Sequence, residues 1–132
     1  MVGPFQFSVE SGSLCIAQFS PDMDLTTLLT GSGFLSITRT LDEVSVVAAE
    51  PFSFAGARVE GGWKAIKIKG PMDFALTGVL SAFLEPLAAA GIPIFAISTF
   101  DTDYILVKAG QVEEAVSVLE EAGHMRFGPT GT

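Results

Sequence analysis

Few side chains in this 132-residue sequence have the type and spacing to do chemistry. The one cysteine, Cys15, and the one histidine, His124, form the only pairing of a conventional nucleophile with a conventional base. They come from opposite ends of the chain. Cys15 sits in the apolar run LCIAQF, so the sequence predicts a buried, inert thiol there and a surface histidine at the start of a strand. An enzyme built on the pair would need one of the two in an open cleft. Asp101 and Asp103 flank Thr102 where the chain must turn; two carboxylates attract a cation, but one metal ion needs more oxygen donors, and aspartates at such positions commonly serve the turn itself. Lys67 and Lys69 in KAIKIK share one face of a strand and read as a solvated edge, not a phosphate site. The stretch EGGWKAIKIKG lacks the strand-before, helix-after context of a glycine-rich phosphate loop, and no motif calls for a cofactor. GPMDFALTGVL is different, because it leads a strand into a helix whose first amides lack intrahelical acceptors and could receive a carboxylate. Asp73 reads as the N-cap. Gly78, placed in the first helical turns, costs roughly 1 kcal/mol relative to alanine, so it serves either close helix packing or backbone access for a ligand.

The elements that must position these residues follow from periodicity. WKAIKIKG is a strand with Ile66 and Ile68 on one face, ending at the turn pair Gly70-Pro71. Leu76, Val79, Leu80, Phe83, Leu84 and Leu87 recur at spacings of three and four, which predicts a helix running to about Ala90, with a kink at Pro86 and a stop at Gly91. IPIFAIST and DYILVK are joined by a connection too short for anything but a hairpin. Both strands are apolar on both faces, Phe95 and Ile97 on one and Ile94 and Ala96 on the other, so a further surface must cover the second face. A second helix from about Gln111 turns Val112, Ala115, Val116 and Leu119 inward, and HMRF is a last short strand. Strand, helix, strand, strand, helix, strand is the split βαβ, ferredoxin-like order of an α+β fold.

The first sixty residues echo this plan. SITRTLDEVSVV, Ser36 to Val47, aligns without gaps on AISTFDTDYILV, Ala96 to Val107. SLCIAQF upstream predicts a strand and DMDLTTLLT a short helix, with EPFSFAGARVEGG as a degenerate remainder. Two unequal tandem lobes are therefore expected, 1–60 and 61–132.

Composition narrows the partners. Seven basic against fifteen acidic residues leave a formal charge of −8, which repels nucleic-acid backbones and anionic membranes. With 48% hydrophobic residues the chain can bury a core, while its N-terminus lacks the basic start and long apolar stretch of a signal peptide, so a soluble, cytoplasmic protein is expected. Eleven phenylalanines in so short a chain favour a homodimer that covers apolar sheet edges and faces.

The segment from Gly62 to His124, and ISTFDTDYILV within it most specifically, resembles the ACT domain. The branch it resembles occurs in aspartate kinase regulatory regions, small stand-alone bacterial proteins and the cytosolic arginine sensor of animal growth signalling. The strong resemblance covers about half the chain, and residues 1–60 resemble the degenerate lobe that stand-alone members carry. The resemblance implies a non-catalytic regulatory or sensing module. Its ligand would be a free amino acid held between one lobe's strand-to-helix region and a neighbouring lobe's second strand. Adjacent units would cover the excess apolar surface of Phe95 and Ile97, and any regulated enzyme would be a separate chain. The family's helix-start contacts fall on Leu76, Thr77, Gly78, Val79 and Leu80, and its second-strand contacts on Pro93, Ile94 and Phe95. Phe95 stands where aspartate kinases often offer a polar residue, and Pro93 lacks an amide donor, which argues against a lysine or threonine site of their kind. A carboxylate at the amides of Thr77 and Gly78, with Asp73, Asp101 and Asp103 supplying negative charge nearby, favours arginine or another cationic amino acid. The alternative is a structural interaction module that has lost its ligand.

Overall fold

The computed structural model describes residues 4–29, 31, 33–70 and 78–128. In chain order its strands are β1 (Gln6–Val9), β2 (Leu14–Phe19), β3 (Leu35–Arg39), β4 (Val44–Ala49), β5 (Arg58–Ile68), β6 (Phe95–Ser98), β7 (Asp103–Lys108) and β8 (Met125–Arg126). Helix α1 (Val79–Ala89) lies between β5 and β6, and α2 (Val112–Glu121) between β7 and β8. Gly12–Trp63 form one compact unit, and the residues on either side of that insertion form the other.

In the flanking unit the strands run β8-β1-β5-β7-β6. From the second half of β5 onward the elements are strand, helix, strand, strand, helix, strand, which is the expected ferredoxin-like order. β1 is an addition, antiparallel to β5 and parallel to β8. The boundary expected at residue 60 placed β1 with the first lobe by chain position, whereas its partners lie in the flanking unit. Phe7 stands opposite Ile68 and Val9 opposite Ile66, so two more apolar residues join the same covered face. That face, with Ile105 and Val107, packs on Val79, Phe83 and Leu87 of α1 and on Val112, Ala115, Val116 and Leu119 of α2. Each large side chain buried there contributes about 1.5–3 kcal/mol.

The proline inside α1 has a visible consequence. Pro86 has no N–H, so the carbonyl of Ala82, four residues earlier, loses its intrahelical donor. His124 supplies one: its Nε2 lies 3.0 Å from the Ala82 oxygen, and its Nδ1 accepts from the Phe5 N–H at 3.1 Å. Because Nδ1 accepts, the ring proton sits on Nε2. The imidazole also stacks on Phe83, with centroids 4.2 Å apart. The surface position expected for His124 is thus overturned: it is 5% exposed, because a neutral ring with both nitrogens bonded to backbone can be buried.

The inserted unit orders its strands β3-β4-β2-β5, every pair antiparallel. Counting β2 as first strand, this is the flanking unit's plan without β1, but with reduced helices. A 3-10 turn, Leu25–Leu28, occupies the first helix position, capped by the Asp24 carboxylate on the Thr26 N–H at 3.0 Å. No helix lies between β4 and β5. Phe52 and Phe54 partly fill that place, 4.8 Å apart and each edge-on to Phe19, over a core of Cys15, Ala17, Val44 and Val46.

Both expected hairpins are present, one in each unit. Their closing pairs are Arg39 with Val44 and Ser98 with Asp103. Arg39 therefore corresponds to Ser98, one residue away from the ungapped alignment of Ser36 on Ala96. In this register Thr40, Leu41 and Asp42 fall on Thr99, Phe100 and Asp101. Each turn is closed by its threonine N–H, to Glu43 O at 2.9 Å and to Thr102 O at 2.8 Å.

Candidate functional site

Helix α1 begins behind Gly78, whose φ of 78° and ψ of 1° are left-handed. Gly78 is thus the N-cap of α1 and not a residue of its first turn, and a glycine adopts this backbone without the penalty a Cβ brings. It has no side chain to cap the amides that follow. The first turn of α1 holds no acidic residue, whereas that of α2 holds Glu113 and Glu114. The N–H groups of Val79, Leu80 and Ser81 have no intrahelical acceptor, and the helix dipole favours negative charge in front of them. Gly78 itself is exposed. Asp73, Leu76 and Thr77 lie outside the described residues.

Of the remaining expected residues, Val79 is buried, and Leu80 and Ile94 pack against the same apolar cluster. Phe95 differs. It pairs with Leu106, which alternates with the helix-facing Ile105 and Val107, so the Phe95 side chain lies on the sheet face away from α1 and α2. Ile97 shares that face, and both are half-buried. β6 ends the strand order of this unit, so what Phe95 leaves open is backbone along the sheet edge.

The remaining candidates settle individually. Cys15 is 1% exposed in the core of the inserted unit. Burial, helped by the Glu50 carboxylate, pushes its thiol above the ordinary value. His124 is held by backbone on both nitrogens, so neither side chain lies in an open cleft. The Asp103 carboxylate accepts the Ser98 hydroxyl across the hairpin. Among the described residues no group of three or more His, Cys, Asp or Glu could hold a metal ion, and no helix is long and apolar enough to cross a membrane. Lys67 and Lys69 do not mark an edge: β5 has β1 on one side and β7 on the other. Periodicity could not reveal that, because it reports faces and not neighbours. The role of His124 did leave a signal, the Ala82–Pro86 spacing that frees one carbonyl.

Comparison with known proteins bears on this geometry. Residues 58–121 match the family model described as ACT domain. A crystal structure of a protein from Agobacterium tumefaciens is 36% identical, with a TM-score of 0.87 over 96% of this chain and 94% of that one. The human cytosolic arginine sensor for mTORC1 subunit 1 is 36% identical over 59 residues, 44% of this chain; the chain thus spans only 18% of that relative's length. The regulatory subunit of aspartate kinase from Thermus thermophilus shares the fold at 12% identity, with a TM-score of 0.63 over 89% of this chain and 97% of that one. The ferredoxin-like order of both units and these similarities lead to one conclusion: the chain is an ACT domain protein.

Proposed function

We propose that this chain is a non-catalytic, cytoplasmic sensing module that binds a free amino acid at the start of α1 and acts as a homodimer on a separate enzyme. The observation that carries the proposal is the left-handed, exposed Gly78, a cap without a side chain, followed by a first turn that holds no acidic residue. The ligand carboxylate meets the amides around Thr77 and Gly78, with Asp73, Leu76 and Val79 around it. Ile94 lines the other wall, and Phe95 contributes backbone. A second copy supplies the facing lobe and covers the Phe95 and Ile97 face. Arginine or another cationic amino acid is the first candidate, supported by the acidic charge balance and by the relative described as an arginine sensor.

The second reading, an interaction module without a ligand, draws on the inserted unit, where a four-residue 3-10 turn stands in for a helix and a second helix is missing. A thermal-shift screen of the proteinogenic amino acids separates the two. A ligand at 100 times its dissociation constant adds about 2.7 kcal/mol, several degrees for a domain of this size. Silence from every amino acid at millimolar concentration would favour the scaffold.

A further inference from the structure

The sheet of the flanking unit has a second face, opposite α1 and α2, on which Lys67 and Lys69 alternate with the core residues Ile66 and Ile68. A cleft of ≈ 530 Å³ opens there, lined by Ser8, Glu10, Lys67, Lys69, Gly70 and Phe127 among others. Ser8 stands directly across from Lys67, so the two share this face. Lys69 Nζ donates to Gln6 Oε1 at 3.1 Å and lies 5.3 Å from the centre of the Phe127 ring, while Lys67 Nζ lies 5.7 Å from the centre of the Tyr104 ring. An ammonium has three donors, and a ring face accepts charge without consuming them. Both lysines therefore keep hydrogen-bonding capacity for an anion. At the other end of the cleft, Glu10 takes the Ser8 hydroxyl on Oε2 at 2.9 Å, which leaves Oε1 able to accept from a cation.

Two ammonium groups, one carboxylate and one aromatic ring along a single cleft form a pattern with a definite complement. In a chain with seven basic against fifteen acidic residues, two lysines on one strand face make a local field opposite to the average. Both line the cleft from one run of chain, two residues apart, and their flexible four-carbon stems let the ammonium groups turn onto the two ends of a short diacid. We propose that this cleft binds a small acidic amino acid, its two carboxylates on Lys67 and Lys69, its ammonium on Glu10 and its carbon chain against Phe127. This site is independent of the one at the start of α1.

Calorimetric titration of the full chain with glutamate tests it, with glutarate, which lacks the ammonium, and glutamine, which lacks one carboxylate, as comparators. Glutamate should bind tightest. Lys67→Gln with Lys69→Gln should weaken it at least tenfold, and Glu10→Gln should bring glutamate down to the affinity of glutarate. Leu41→Ala, at an exposed turn of the inserted unit, should leave these titrations unchanged. Circular dichroism confirms that each variant is folded. Absence of heat from glutamate at millimolar concentration would overturn the proposal, as would equal binding by the double lysine variant. So would binding that responds to Gly78→Ala and not to the lysines, since that ligand would sit at the helix start.

Discussion

Ala82, Pro86 and His124 form a small device in which one residue creates a vacancy and another fills it. Replacing His124 with alanine leaves the Phe5 N–H and the Ala82 carbonyl without partners and removes a ring stacked at 4.2 Å on Phe83. The expected cost is about 2–4 kcal/mol, measured by urea unfolding. A double-mutant cycle isolates the link between the two residues. Pro86→Ala restores an N–H that can reach the Ala82 oxygen, so His124→Ala should cost about 1 kcal/mol less in that background. Additivity would mean that the proline and the histidine are unconnected. Cys15 makes a separate point at this scale. Its thiol is held above the ordinary value by burial, so the folded protein keeps that proton when the unfolded chain begins to lose it. The contribution is absent below the unfolded thiol's pKa. Above it, stability falls as pH rises. The fall should be shallower in Cys15→Ala, as denaturation series from pH 7 to 10 would show, and alkylation of native Cys15 should be far slower than in denaturant.

At the scale of elements, the inserted unit keeps a four-stranded plan after losing most of its helical cover. Phe52 and Phe54, edge-on to Phe19, take over part of the burial that a second helix provides in the flanking unit. Phe52→Ala should therefore cost about 1–3 kcal/mol, less than a fully buried phenylalanine because the ring is half-exposed; chemical denaturation measures it. The sequence made the helices and both hairpins legible, because apolar spacings of three and four and of two report directly on faces. Pairing partners are not written in that pattern. β1 gives no sign in Gln6–Val9 that it crosses to β5 and β8, and the hairpin echo was displaced by one residue because matching letters carry less register information than the closing pairs. Gly70 shows a close approach that local sequence also hides. A Cβ there would stand 2.7 Å from the Asp101 carbonyl oxygen, while Thr102, 3% exposed, donates its hydroxyl to Ile68 O. Gly70→Ala should destabilise by about 1–3 kcal/mol through that clash. At the candidate site, a helix following GPMDFALTGVL was legible but its start was not: Asp73 was expected as the cap, and the left-handed Gly78 holds that place, since φ depends on how the chain enters the helix.

At the scale of the whole molecule, function rests on one surface feature and on company. The half-buried Phe95 and Ile97 motivate a second copy, and sedimentation at tens of micromolar should give twice the chain mass. The central claim is that an amino acid occupies the start of α1, and amide-resolved NMR addresses it most directly. With arginine first, and then the other free amino acids, a ligand should move the Gly78, Val79, Leu80 and Ser81 amide resonances in a saturable way. Those of Glu113 and Glu114, in the acidic first turn of α2, should stay fixed. Resonances at the start of α1 that stay still for every amino acid at millimolar concentration would contradict the claim.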